Sequence, residues 1–288
     1  MATVSNPLPH SGAPTMTRPP LGWLVHDGLV VTKRNLIQTL RVPELLFFSL
    51  VQPVIFVLMF AYVFGGAIPV PGADPGSGSD AYREYLVPGI FGQTVAFAAA
   101  ASTVGLAEDM HKGIIDRFRS LPMTASAVLF GRTAADAIRQ VLVLVVLSIT
   151  GYVVGWSIND GILNALLAYA LLLLFAYTVS WIGSWVGLYM PNPETANTAG
   201  LIWLFPLTFL SNAFVPITGM PPVIQTIAEW NPVSAVVLAS RELFGNPTGL
   251  PSDAWSLQNP IAYTLISCTV AIAIFAPLAV RKYRRTTA

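Results

Sequence analysis

The sequence predicts an all-α integral membrane protein, with six transmembrane helices, an N-terminal interfacial amphipathic helix, and a pair of re-entrant half-helices before the last span. Three observations predict it. Of 288 residues, 54% are hydrophobic and only 10% charged, against roughly 25% charged in an ordinary soluble domain, so the polar surface of a soluble globule is missing. The apolar residues fall into uncharged runs of the length a bilayer demands, about 20 residues at 1.5 Å per residue for a core about 30 Å thick. The basic residues gather in alternate connectors, as segments that resist translocation do.

Residues 1–20 carry five prolines among Ser, Thr and Gly, the composition of a disordered cytosolic tail. No signal-peptide core precedes Leu45, so the first apolar run is expected to stay in the protein. Residues 21–43 form the interfacial helix. Leu21, Val25, Gly28, Thr32, Leu36 and Leu40 share one helical face, and Asp27, Lys33, Arg34, Gln38 and Arg41 the other; with Trp23, this pattern suits the headgroup layer. Pro43 then turns the chain into the membrane, opening a six-span domain over residues 44–288. Spans are expected at 45–64, 85–107, 141–156, 162–190, 195–216 and 259–280. Thirteen of the 15 basic residues fall on one side: Arg18, Lys33, Arg34 and Arg41; Lys112, Arg117, Arg119, Arg132 and Arg139 in a cytosolic connector over 108–132 and the start of the third span; and Arg281, Lys282, Arg284 and Arg285. Only Arg83 and Arg241 fall on the other. Both termini are therefore expected in the cytosol, which requires an even number of crossings. Residues 219–245 keep that parity, because Pro221, Pro222, Asn231 and Pro232 divide them into pieces of about 9 and 13 residues, each too short to cross.

Several chemistries are excluded. A net charge of +1 offers no basic stripe for nucleic acid. Cys268 is the only cysteine, and His10, His26 and His111 are scattered, so no disulfide, zinc site, other metal or cofactor is expected. A phosphate-binding P-loop needs Gly before Lys, but Lys33, Lys112 and Lys282 follow Thr32, His111 and Arg281. The chain is not expected to be an enzyme. No ionisable residue sits in the middle of a span, since Asp136, Arg139 and Glu194 lie at span ends; no repeated halves are visible; and a proton-driven carrier is disfavoured. Energy must come from another chain.

The spans instead hold aromatic and uncharged polar residues: Gln93, Thr94 and Phe97 in the second, Trp181 and Trp185 in the fourth, Trp203, Phe205, Phe209, Ser211 and Asn212 in the fifth. Such residues suit a bulky, mostly apolar solute, and equally suit helix packing. Between the second and third spans, Glu108, Asp109, Lys112, Asp116, Arg117 and Arg119 mix with Ile115, Phe118 and Leu121. That is the composition of a docking surface; the alternative is a connector shaped only by the sidedness of its charges.

From about Lys33 onward the sequence resembles the membrane subunits of type-2 ABC exporters, especially the daunorubicin-resistance-like permeases of actinobacteria. The resemblance rests on Glu108, Gly113, Arg117, Leu121 and Pro122, and on Leu204, Leu207, Leu210, Ser211, Ala213, Met220, Pro221, Pro232 and Arg241. Val233 and Ala235 depart from the family pattern. The resemblance implies a multi-pass permease of the bacterial plasma membrane, working with a second permease subunit, identical or related, and two copies of a separate ABC ATPase. ATP hydrolysis on that ATPase would move a hydrophobic drug-like, antibiotic or lipid-like compound out of the cell. Coupling would fall to Glu108, Gly113, Arg117, Phe118, Leu121 and Pro122, the route to Gln93, Thr94, Phe97, Trp203, Phe205, Phe209, Ser211 and Asn212, and an outer gate to Met220, Pro221, Pro232 and Arg241. Export of a lipid-linked saccharide, or a non-transporting scaffold or sensor bound to such an ATPase, are the alternatives.

Overall fold

A computed structural model describes residues 21–41, 43–65, 67–72, 78–114, 125–249 and 252–286. Among these every regular element is helical. In chain order they are α1 (Leu21–Leu40), α2 (Pro43–Val63), α3 (Gly78–His111), α4 (Ala125–Val154), α5 (Gly161–Gly187), α6 (Pro193–Phe209), a 3-10 turn (Ile217–Gly219), α7 (Pro222–Glu229), α8 (Pro232–Phe244), α9 (Trp255–Gln258) and α10 (Pro260–Thr286). Four of them, α3, α4, α5 and α10, are long and apolar enough to cross a membrane. Where the first and fifth spans were expected lie an apolar stretch at Leu50–Val63 within α2 and the 17-residue α6.

α3 is the central pillar. Its 34 residues extend about 51 Å at 1.5 Å per residue, well beyond the expected span. It packs against α5 where Gly183 and Gly187 meet the carbonyls of Ala99 and Thr103; a Cβ on either glycine would collide with that backbone. Two small residues four apart bring helix axes this close in lipid, where close packing replaces the hydrophobic drive available in water. A cluster of edge-to-face rings packs against an earlier part of α3. Trp156 lies 5.4 Å from Phe91 and 5.2 Å from Phe244, and its indole N–H donates to Asn246 Oδ1 at 2.8 Å, giving the buried ring the partner it needs.

α4 starts at Ala125, 16 residues before the third span was expected, so residues 125–132 of the anticipated connector are helical. Hydropathy registers only the uncharged part of this helix; its first half carries Arg132, Thr133, Asp136 and Arg139, each of which makes at least one hydrogen bond. α1 crosses that half: Gly131 abuts the Gly28 carbonyl, and Thr32 Oγ1 donates to Gly28 O at 2.8 Å and Gly131 O at 2.9 Å. The face expected to be apolar, with Gly28 and Thr32, is thus turned onto α4, while Leu29, Val30 and Ile37 are exposed.

α6 ends at Phe209, short of the expected 216. The chain then turns through residues 210–216 and enters α7 and α8, of 8 and 13 residues, close to the expected lengths. Asn231 starts α8 as its N-cap, accepting from Val233 N at 2.8 Å, with Pro232 in the first turn where no N–H is needed. Gly245 ends it at φ +70, the left-handed cap that glycine adopts without strain. Val233 and Ala235 are fully buried, so the two departures from the family pattern are packing positions.

Candidate functional site

A cavity of about 590 Å³ opens between α2, α3, α4 and α6, with Asn35 of α1 at its edge. One end is charged. Asp109 of α3 pairs with Arg132 of α4, whose guanidinium lies across Gly105, where any side chain would block it. Asp136 accepts from Ser102 Oγ at 2.6 Å and from Arg139 Nη2 at 3.0 Å, and Glu108 accepts from Lys112 Nζ at 3.0 Å. Each charge on the wall has a counter-charge, which is how ionisable groups become tolerable at low dielectric.

Deeper in, the wall carries Gln93, Thr94 and Gln140 together with the apolar Phe56, Phe97, Val143 and Leu201. From Phe97 a column of rings leaves the cavity. Phe97 meets Phe205 edge to face at 5.6 Å, Phe205 stacks on Phe209 at 5.6 Å, Phe209 on Phe214 at 5.5 Å, and Phe214 on Phe60 of α2 at 4.8 Å. Phe205 and Phe209 are about half exposed, so the column has an open side.

Phe214 of this column lies in the turn after α6, and Arg241 of α8 holds that turn. The residue is fully buried; its Nε donates to Tyr85 O at 2.8 Å and its Nη2 to Asn212 O at 3.0 Å and Ala213 O at 3.2 Å. The guanidinium lies 3.4 Å from the centroid of the Tyr85 ring, and Tyr85 OH donates to Asn212 O at 2.8 Å. Asn231 Nδ2 donates to Leu207 O at 2.6 Å and Leu210 O at 2.7 Å. The last carbonyls of a helix have no partners within it, so the Asn231 amide supplies what the α6 end lacks, while Arg241 ties the turn beyond it to α3.

The expected site residues thus separate. Gln93, Thr94, Phe97 and Glu108 line the cavity; Phe205 and Phe209 form the column. Trp203 packs half-buried against the main core, while Ser211, which donates to Thr208 O at 2.5 Å, and Asn212 build the turn and do not reach the cavity. Of the gate residues, Arg241 is the clamp, Pro232 opens α8, Met220 packs on Ile217, Ala228, Leu238 and Leu257, and Pro221 is exposed. Gly113, at φ +65, ends the turn after α3; Arg117, Phe118, Leu121 and Pro122 lie outside the described residues. Trp181 and Trp185 belong to a separate cluster with Leu106 and Val128. The sequence reading missed Asp109, Arg132, Asp136, Arg139 and Gln140 as wall residues. Arg132, Asp136, Arg139, Gln140 and Val143 recur at steps of three, four or one, a single helical face that becomes visible only if the helix is begun at Ala125.

Among the described residues the cavity wall presents amides, rings and paired charges, groups that can surround a solute. Residues 28–244 match the ABC-2 type transporter family. The chain is 34% identical over 273 residues, 94% of its length and 90% of the relative's, to a daunorubicin resistance ABC transporter permease protein of Streptomyces coeruleorubidus. It is 28% identical over 227 residues, 77% of its length and 78% of the relative's, to a doxorubicin resistance ABC transporter permease protein of Mycobacterium tuberculosis. A bundle with four long apolar helices, a solute-sized cavity and this extent of likeness lead to one conclusion: the chain belongs to the ABC-2 type transporter family of membrane permeases.

Proposed function

We propose that this permease exports a hydrophobic, drug-like compound across the bacterial plasma membrane, drawing energy from a separate ABC ATPase. The observation that carries the reading is the continuity of the cavity with the ring column. The cavity's volume falls within the roughly 300 to 1,000 Å³ of drug-sized sites, and this favours a compact solute over a long lipid-linked saccharide. In this reading α2 to α6 and α10 are the six spans, α7 and α8 dip into the outer leaflet, and α1 rests against lipid headgroups. The distribution of charge supports cytosolic termini: α1, the end of α3, the start of α4 and the end of α10 carry the cations, whereas Arg83 and Arg241 lie at the opposite end. The solute enters among Gln93, Thr94 and Phe97 and leaves along Phe205 and Phe209. Glu108 and Gly113, with Arg117, Phe118, Leu121 and Pro122, face two copies of the ATPase. The open side of the column faces a second permease subunit, and Met220, Pro221, Pro232 and Arg241 close the outer end.

Inside-out vesicles containing the permease and its ATPase test this. Doxorubicin, the compound one relative is named for, should accumulate only when both proteins and ATP are present, and Phe209→Ala should change the rate for different aromatic compounds unequally. ATP hydrolysis by the complex without movement of any tested compound would favour a scaffold or sensor instead.

A further inference from the structure

The cations of α1 line neither the cavity nor the ring column. Lys33, Arg34 and Arg41, together with Val30 and Ile37, instead line a shallow recess of about 510 Å³. Steps of three, one, three and four residues put all five on one helical stripe, and Arg41 N–H, donating to Ile37 O at 3.0 Å, carries the last turn past the end of α1. Gly28, Val31 and Thr32, which meet α4, and Asn35, at the cavity edge, occupy the other flank. Asp27 is the acidic residue of α1 and does not line the recess; among the described residues the lining holds three cations and no carboxylate. Val30 and Ile37 are 51% and 40% exposed, so charge and apolar surface alternate along the stripe. Only Val42, Pro43 and Glu44 separate Arg41 from Leu45, where the apolar run of α2 begins, which sets the stripe at the depth where hydrocarbon gives way to headgroups.

Resting on the placing of α1 at the cytosolic headgroups, we propose that this stripe binds an acidic phospholipid, and that its occupancy sets how tightly ATP hydrolysis is coupled to export. Lys33, Arg34 and Arg41 hold the phosphate, and Val30 and Ile37 lie against the start of the acyl chains. A lipid offers anion and hydrocarbon side by side, as the alternating stripe requires, whereas an acidic patch on a soluble protein would supply the charge alone. The link to coupling is a chain of contacts through α1. On its other flank the Thr32 hydroxyl donates to Gly131 O at 2.9 Å, and the next residue, Arg132, pairs with Asp109 at the charged end of the cavity. A lipid that fixes the depth of α1 therefore fixes the start of α4, where one wall of the cavity begins.

The test places a bimane on Leu29→Cys, beside the recess, in a full-length permease carrying Cys268→Ala and reconstituted with its ATPase in phosphatidylcholine membranes. Quenching by 5-doxyl phosphatidylglycerol is compared with quenching by 5-doxyl phosphatidylcholine. The acidic lipid should be preferred at least tenfold, and Lys33→Gln and Arg41→Gln should each lower that preference about fivefold, the share of one cation near a lipid surface. Arg281→Gln with Arg285→Gln, which removes two cations elsewhere in the chain, should leave it within twofold. If a variant fails to fold, the two lipids on the otherwise unaltered protein decide alone. Equal quenching by both lipids, or an equal loss in the Arg281 and Arg285 variant, overturns the site. Quenching by neither overturns it together with the placing of α1, and shielding of the bimane by the ATPase would then mark the stripe as a protein contact. In vesicles of the same proteins, doxorubicin moved per ATP hydrolysed should fall at least threefold when phosphatidylglycerol is omitted; an unchanged ratio overturns the coupling role. Selective quenching without any flux removes the exporter reading and leaves the lipid site standing, whereas flux without lipid preference does the reverse.

Discussion

At the scale of single residues, the buried charges decide more than the apolar side chains around them. Arg241 carries its charge into the core with three backbone carbonyls and an aromatic face for company, and the planar guanidinium is what lets one side chain reach α3 and the α6 turn together. Lysine has the charge but not the fork. Arg241→Lys should therefore lose at least one of the contacts to Tyr85, Asn212 and Ala213, at about 1.5 to 3 kcal/mol each for a charged hydrogen bond. A lowered thermal midpoint of the purified permease, followed by tryptophan fluorescence, checks this; an unchanged midpoint would mean that the clamp is not under load. The pair between Asp109 and Arg132 invites a reciprocal test. Their side chains are 18% and 16% exposed, between the exposed and buried limits, so Asp109→Arg or Arg132→Asp alone should cost about 1 to 3 kcal/mol. The double exchange should recover part of the loss, because charge complementarity returns even though Gly105 was shaped around the original arginine.

Between elements, glycines set the distances. The crossing of α3 and α5 depends on Gly183 and Gly187 lying on the Ala99 and Thr103 backbone, and no rotamer change can relieve a clash between a Cβ and a carbonyl. Gly183→Val should accordingly separate the two helices, at a cost of about 1 to 3 kcal/mol for overpacking and more if the backbones cannot yield. Monodisperse protein recovered in detergent at undiminished yield would contradict it. The same crossing holds the cavity in shape, since α3 supplies one wall through Gln93 and Phe97 from its neighbouring face. The helix pair α7 and α8 shows the opposite device. Asn231 caps α8 and satisfies two carbonyls of the α6 end with one side chain, so the end of one helix and the start of another share a single partner.

For the whole molecule, the prediction that matters most is sidedness. Single cysteines replacing Asp80 and Asp253, both exposed, in a background without Cys268, should react with an impermeant thiol reagent added outside intact cells. A cysteine replacing Lys112 should react only after permeabilisation. Labelling of Asp253→Cys alone or Asp80→Cys alone would mean an odd number of crossings between them, and the reading of α7 and α8 as half-helices would fall.

The membrane class, the apolar parts of the four long helices and the break into two short helices near Pro221 and Pro232 were legible in the sequence, though not where α3, α4 and α6 begin and end. These properties are local: a residue partitions into lipid or ends a helix largely by its own chemistry and that of its chain neighbours. The cavity wall was legible only in part. Gln93 and Phe97 stand out because they lie in an otherwise apolar run, whereas Asp136, Arg139 and Gln140 read as the edge of a span, since a sequence carries no sign that Ser102 and its neighbours await them 34 positions away. Arg241 was placed at an outer gate by resemblance, but that it clamps a turn from within the core was decided by the fold. Pairing cancels the cost of burying a charge, and pairing is a property of residues distant in the chain that meet only when the helices pack.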